Sequence, residues 1–166
     1  MTENKFEGYF SYYISKVSEL PVKEVLMKQK DELASFYDSL KNLDTNSSYA
    51  PEKWSIAEVV FHNIETEIIM LYRAIRISRG DETILSSYDE NMMVEKARVA
   101  EMNFTELLNL HKNTRENTLF YFNHFTQEEL DRTGKFSGLN LNVEGLGYLI
   151  AGHALHHIEV LKERYL

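Results

Sequence analysis

Few residues that break helices interrupt this chain. Its 166 residues include only two prolines and seven glycines, and these two residue types most often end or kink a helix. Long uninterrupted helices are therefore favoured over many strands and turns. The length suits one domain covering residues 1–166. The sequence predicts an all-α fold.

Four stretches carry apolar residues at helical spacing and end at typical boundary residues. Ser55 stands three residues before Glu58 in a capping-box pattern, and Gly80 follows the same stretch as a C-terminal cap. Four long helices with a long connection between the second and the third fit a four-helix bundle. The predicted helices lie near 22–43, 55–79, 103–125 and 143–165.

The remaining segments are expected to be short elements around this bundle. The aromatic-rich residues 1–20 are interpreted as an arm or short helix that covers it, and residues 81–102 as a long connection with a short helix inside. Thr126, with an acidic residue three positions later, indicates an extra helical turn. Residues 132–142 are expected to form a loop or a small hairpin.

Composition excludes several functional classes. The chain has no cysteine, which excludes disulfides, thiolate metal sites and a cysteine nucleophile. Its net charge of -8 disfavours general nucleic-acid binding, because phosphate contacts require clustered positive charge. No apolar run approaches the roughly 20 residues of a membrane span. The N-terminal sequence does not have the pattern of a signal peptide, so a cytoplasmic location without a membrane partner is expected.

Two histidines in the last predicted helix point to a metal site. His153 and His157 are four residues apart, so their Cβ atoms lie about 5–6 Å apart on one helix face. Both fall within the apolar stripe of that helix, whereas His156 lies at its edge. Two imidazoles on one face can bind one divalent ion. Two core histidines satisfied by hydrogen bonds are the alternative.

A third ligand would have to come from another helix, and His62 is the first candidate. Glu58 and Glu65 share its side of the second helix, which fits either a solvated face or the polar wall of a pocket. Helical spacing alone does not separate these two interpretations. His111 and His124 have polar neighbours and are expected at the surface.

Several segments resemble the DinB-like superfamily, which includes the YfiT-like metal-dependent hydrolases and thiol transferases. They occur in the expected order and cover most of the chain. The segments are Tyr49–His62, Tyr72–Asp81, Tyr88–Glu90, Ala151–His157 and Arg164–Leu166.

This resemblance implies a four-helix bundle of up-down-down-up type, often as a homodimer. It also implies one divalent ion, nickel or zinc, bound by His62, His153 and His157. A dimer would explain the exposed aromatic residues near the N-terminus, and capping of the bundle's own core is the alternative explanation. They are Phe6, Tyr9, Phe10, Tyr12 and Tyr13.

Three functions are compatible with these residues. The first, implied by the resemblance to thiol-transferring relatives, is transfer of a low-molecular-weight thiol, such as bacillithiol or mycothiol, to an electrophilic small molecule. The second is hydrolysis by metal-activated water, and the third is a non-catalytic metal-binding role in stress response. Glu58 and Glu65 are candidate catalytic residues that would orient an imidazole or accept a proton, although solvated carboxylates are more common. Arg73 is a candidate for holding an anionic substrate, although an interhelical ion pair is more common.

Overall fold

The computed structural model describes residues 5–136 and 138–166, without the side chains of residues 5–7 and 9. Seven α-helices, two short 3₁₀ helices and one hairpin are formed by these residues. The helices are α1 (Lys5–Ser15), α2 (Val22–Ser39), α3 (Ile56–Ser78), α4 (Glu90–Ala97), α5 (Phe104–His124), α6 (Gln127–Asp131) and α7 (Val143–Arg164), with 3₁₀ turns at Leu40–Asn42 and Val99–Glu101. The strands are β1 (Thr133–Phe136) and β2 (Leu139–Asn142), which pair antiparallel.

The four long helices α2, α3, α5 and α7 form the predicted bundle. Helix α2 packs against α5 and α7, and α3 packs against the same two helices. The consecutive helices α2 and α3 therefore occupy opposite corners. Neighbouring helices α3 and α5 are joined by the long connection that an up-down-down-up bundle requires. The predicted all-α four-helix bundle is confirmed, and none of the helices in the described ranges is long and apolar enough to cross a membrane.

The long connection returns along the bundle and packs on the hairpin. It contains the predicted short helix, α4, whose cap Asp89 accepts a hydrogen bond from the backbone of Met92. Before α4, the backbone N–H of Leu85 donates to the carbonyl of Lys135 at 2.9 Å. Leu85 and Phe136 are both buried there. The hairpin therefore holds the connection against the end of α3.

Helix α1 covers one face of α7. The ring of Tyr13 is 1% exposed, and the backbone of Tyr13 passes directly over Gly152. A Cβ atom at residue 152 would overlap the Tyr13 carbonyl, so glycine allows this close approach. Phe10 is half-buried and Tyr12 is 47% exposed, whereas the side chains of Phe6 and Tyr9 lie outside the described part. Tyr13 thus caps the chain's own core.

A buried polar cluster crosses the bundle between α2, α3 and α5. Arg115 donates to the carboxylate of Glu67 at 2.9 Å, and Thr118 donates to the same carboxylate at 2.7 Å. His111 stands one turn before Arg115 and is only 3% exposed. Its prediction as a surface residue is therefore wrong, because the middle of the inward face of α5 is polar.

Candidate metal centre

The start of α3 fixes the position of His62. The Ser55 side chain accepts a hydrogen bond from the backbone N–H of Glu58, and the Glu58 carboxylate accepts one from the backbone N–H of Ser55 at 2.7 Å. This capping box sets the first turn, and His62 follows one turn after Glu58. Helix α3 packs against α7 along its length. His62 thereby meets the histidine pair of α7 inside the bundle.

The three histidines converge on one point. The Nε2 atoms of His62 and His153 are 3.1 Å apart. One ligand nitrogen from each of His62, His153 and His157 lies within 4.8 Å of the other two. Two nitrogens bound at about 2.0–2.1 Å to one tetrahedral ion would be roughly 3.3 Å apart. The observed spacing is therefore compatible with a shared divalent ion.

Burial keeps these imidazoles neutral. Loss of solvation lowers the pKa of His62 to about 4 and that of His157 to about 3. It also lowers the pKa of His153, and the neighbouring histidines add to this shift. Neutral imidazole has the free lone pair that a metal requires. At neutral pH, the cluster thus presents uncharged donors.

Aromatic rings surround the cluster, and one of its polar atoms has no protein partner. Trp54 packs on His62 at 4.8 Å between ring centroids, and Tyr13 packs on His153 at 5.3 Å. The Nδ1 atom of His157 is buried and has no hydrogen-bond partner among the described residues. A buried imidazole nitrogen without a partner is costly, which fits a site that binds something from outside the chain.

His156 lies apart from this cluster. Its ring packs against Tyr12 at 5.8 Å and Tyr13 at 5.3 Å, under α1. It is not one of the three clustered histidines. The sequence-based separation of His156 from its neighbours agrees with this placement.

The cluster opens into a cavity of about 450 Å³. The volume is within the usual range for small-molecule sites. Its walls come from α1, from α3 and the loop before it, from α7, and from the segment that leads into α4 together with the first residue of α4. They combine apolar surface with a few hydroxyl groups and two charged residues. The lining residues besides the histidines are Phe10, Tyr13, Trp54, Thr66, Met70, Arg73, Ser87, Tyr88, Glu90 and Leu149.

The two predicted catalytic glutamates do not line this cavity. The Glu58 carboxylate is bound in the capping box, which gives it a structural role in starting α3. Glu65 is half-buried, and burial raises the pKa of its carboxyl. A catalytic role for either residue stays a prediction.

Sequence reasoning missed most of the cavity wall. Thr66 and Arg73 follow His62 by 4 and 11 residues, and these spacings return to nearly the same helix face. Arg73 was already a candidate from the sequence, but helical spacing alone did not distinguish a pocket wall from a solvated face. The contributions of Tyr13 and Tyr88 had no such signal, because α1 and the long connection reach the site through tertiary packing.

The sequence profile of the DinB superfamily matches residues 26–161. This match covers the four bundle helices almost completely. The chain belongs to the DinB superfamily. The profile match confirms the superfamily resemblance inferred from the motifs. A comparison with curated protein sequences gives no match.

Two solved structures share the fold of this superfamily member. YfiT from Bacillus subtilis, described as a probable metal-dependent hydrolase with an unusual four-helix bundle topology, aligns with a TM-score of 0.76 and 17% identity. The alignment covers 86% of this chain and 82% of YfiT. The mycothiol-dependent maleylpyruvate isomerase aligns with a TM-score of 0.64 and 17% identity, over 86% of this chain and 61% of the isomerase. At this identity, the similarity establishes a shared fold.

Proposed function

We propose that His62, His153 and His157 bind one divalent ion, zinc or nickel, and that the protein transfers a low-molecular-weight thiol to an electrophilic small molecule. The observation that carries this proposal is the convergence of three neutral imidazoles at the wall of a cavity large enough for a small substrate. Three protein ligands leave a coordination position for an exogenous ligand. When bound, such an ion lowers the pKa of a coordinated thiol or water and so supplies a nucleophile near neutral pH.

The chain's own residues would position the reactants and limit access of water. Trp54 and Tyr13 pack against the histidine rings and hold their orientation. Leu149 and Met70 add apolar wall to the cavity. Glu65 stays the candidate proton acceptor named from the sequence, and burial raises the pKa of its carboxyl, which favours that role; because it does not line the cavity, the role requires a relayed proton.

Hydrolysis by metal-activated water is the second candidate function. It is favoured by the structural similarity to YfiT, which is described as a probable metal-dependent hydrolase. Both candidates use the same three histidines and the same cavity. Thiol dependence of the reaction is what distinguishes them.

Metal content tests the site itself. The untagged protein, loaded with Zn²⁺ or Ni²⁺ and dialysed, is expected to retain one ion per chain in elemental analysis. Alanine at any of the three clustered histidines should sharply lower this stoichiometry, because one ligand is removed. His156→Ala is the matched control and should retain the ion. Equal metal content in the parent and all three ligand variants would contradict the proposal.

Activity then separates the functions. In one assay, the metal-loaded protein is incubated with the electrophile monobromobimane, in the presence and in the absence of a low-molecular-weight thiol. In a second assay, it is incubated with the hydrolysable ester p-nitrophenyl acetate. Thiol transfer predicts thiol-dependent conjugation that is lost in His153→Ala. Ester cleavage without thiol would instead favour the hydrolase. Metal binding without either activity across a broad panel of electrophiles and esters would favour the non-catalytic role.

We also propose a homodimer in the cytoplasm. The exposed ring of Tyr12 supports a contact through α1, although Tyr13 is used within the chain's own core. Sedimentation equilibrium at high micromolar concentration is expected to give twice the chain mass of 19.5 kDa. A single-chain mass would overturn the dimer.

A further inference from the structure

A buried arginine without a carboxylate partner lies at one wall of the cavity. The side chain of Arg73 is only 2% exposed, and it makes no ion pair with any described residue. Arg115 is buried to the same degree but pairs with Glu67 at 2.9 Å. Burial of a guanidinium without a counter-charge is unfavourable. The contrast between the two arginines therefore points to a ligand that supplies the missing charge.

The contacts of Arg73 hold its guanidinium in place but leave its charge uncompensated. One Nη2 hydrogen bond goes to the carbonyl of Ser86 at 2.7 Å, and Nη1 contacts the sulfur of Met70 at 3.6 Å. The rings of Phe136 and Tyr88 lie 4.5 and 5.7 Å from the guanidinium carbon. These groups are neutral, and an arginine has five N–H donors. The guanidinium group of Arg73 therefore retains N–H donors that can bind an anion.

Arg73 lies on the same face of α3 as His62, about three turns further along the helix. It follows His62 by 11 residues on α3, which gives the same helix face and about 16 Å of axial rise between their Cα atoms. The contact with Met70, one turn earlier, shows that the side chain leans back toward His62. Apolar wall from Met70, Leu149 and Phe10 belongs to the same cavity.

We propose that Arg73 is a specificity-determining residue that binds a carboxylate group of one reactant. The apolar part of that reactant then extends from Arg73 toward the histidine cluster. This inference rests on the proposed function, since it concerns the same cavity. The carboxylate belongs either to the electrophile or to the thiol. Arginine suits this role because its planar fork forms two parallel hydrogen bonds to a carboxylate. Glu90, which also lines the cavity, forms no ion pair with Arg73.

The first experiment tests the anion site without metal or thiol. Binding of octanoate and of octan-1-ol to the metal-free protein is measured by isothermal titration calorimetry. The parent is expected to prefer octanoate, and Arg73→Gln should weaken octanoate binding by about 10- to 100-fold while leaving octanol binding nearly unchanged. Arg76→Gln is the matched control, because Arg76 is on the same helix but pairs with Asp81 outside the cavity lining.

Two results would overturn the proposal. One is equal binding of acid and alcohol by the parent. The other is an equal loss of both ligands in Arg73→Gln, which would assign Arg73 to anchoring the connection through Ser86. If Arg73→Gln does not fold, the parent comparison still decides, and Arg73→Lys should retain part of the preference for octanoate because it keeps the charge.

The second experiment separates this site from the proposed thiol chemistry. The zinc-loaded protein is titrated with 8-mercaptooctanoate and 8-mercaptooctan-1-ol. Tight but equal binding of both would support the thiol function and overturn the anion site. If the parent prefers octanoate in the first experiment, but the mercapto compounds bind no more tightly than octanoate and octan-1-ol, the result would support the anion site and contradict thiol binding.

A competition then assigns the carboxylate to one reactant. Simultaneous binding of octanoate and 2-mercaptoethanol to the zinc-loaded protein would place the carboxylate on the electrophile. Mutual exclusion, together with tighter binding of 8-mercaptooctanoate than of octanoate, would place it on the thiol. Either result supports an anion site at Arg73.

Discussion

His111 is a buried ionisable residue outside the histidine cluster. Its ring packs edge-on against Tyr37 at 4.9 Å, and its Nε2 atom has no hydrogen-bond partner among the described residues. Burial lowers the pKa of His111 to about 4, a shift that the charges of Arg115 and Lys112 increase and that of Glu67 opposes. The neutral ring is thus the form that the fold accepts.

This predicts a pH-dependent contribution of His111 to stability. The folded pKa lies below the unfolded value of about 6.5, so between pH 6.5 and 4 the unfolded state binds a proton that the folded state does not. Stability should therefore fall as pH decreases through this window, by up to about 1.4 kcal/mol per pH unit from this residue. Urea unfolding of His111→Phe, which keeps a ring next to Tyr37, should show a shallower acid slope than the parent.

The exposed residue His124 provides the control. His124→Phe makes the same substitution at an exposed position of the same helix, so it controls for the exchange of histidine for phenylalanine, and His111→Phe should show a shallower acid slope than His124→Phe. An identical slope in the parent and in His111→Phe would show that His111 does not remain neutral in the folded state.

The misplacement of His111 shows where residue-level prediction fails. Its sequence neighbours Lys112 and Asn113 are polar, which is typical of a surface position. However, the buried face of α5 also contains Thr114, Arg115 and Thr118, and the last two donate hydrogen bonds to Glu67. Hydrophobic periodicity does not detect a buried face whose groups satisfy each other by hydrogen bonds.

At the scale of elements, the contact between α1 and α7 depends on Gly152. We predict that Gly152→Ala separates the two helices, because the added methyl group would overlap the Tyr13 carbonyl. The expected loss is about 1–3 kcal/mol of unfolding free energy, with faster proteolytic cleavage in the first 20 residues. Urea unfolding and limited proteolysis followed by mass spectrometry measure the two effects.

Gly8 is a matched control on α1. A Cβ atom at residue 8 would have no atom of the described part of the chain within 4 Å, and alanine favours helix more than glycine does by up to about 1 kcal/mol. Gly8→Ala should therefore leave stability unchanged or raise it. Equal stability of Gly152→Ala and the parent would show that α1 does not depend on this close approach.

Prediction of the elements succeeded where periodicity and caps coincided. Ser55 and Gly80 delimited α3 to within about two residues, and the short helix in the long connection was expected. By contrast, Tyr12 and Tyr13 are adjacent and chemically alike, yet one is exposed and the other is buried on α7. Only the docking of α1 decides between them. For the same reason, Tyr88 was not assigned to the cavity.

At the scale of the whole molecule, metal binding should stabilise the folded chain. The three proposed ligands come from two helices, α3 and α7, so the histidine cluster exists only when the bundle is formed. At a free Zn²⁺ concentration about 100 times the dissociation constant, binding should add about 2.7 kcal/mol to the free energy of unfolding. For a chain of this size, we expect the unfolding midpoint to rise by roughly 5–10 °C.

Differential scanning calorimetry with Zn²⁺ or with EDTA checks this prediction without reference to activity. The rise should be absent in His157→Ala and retained in His156→Ala. A rise of equal size in both variants would mean that the stabilising ion binds elsewhere.

The walls of the cavity come from two kinds of segment, the bundle helices and segments outside the bundle. His62, Arg73 and the histidine pair belong to bundle helices, whereas Phe10, Ser87, Tyr88 and Glu90 come from segments outside the bundle. Substitutions in the outer segments therefore change the shape of the cavity at little cost to the bundle. Under the proposed function, this division would let the outer walls adapt to new substrates while the histidine cluster stays constant. In directed evolution, a library confined to residues 10, 87, 88 and 90 should yield folded variants with altered selectivity more often than one that targets α3.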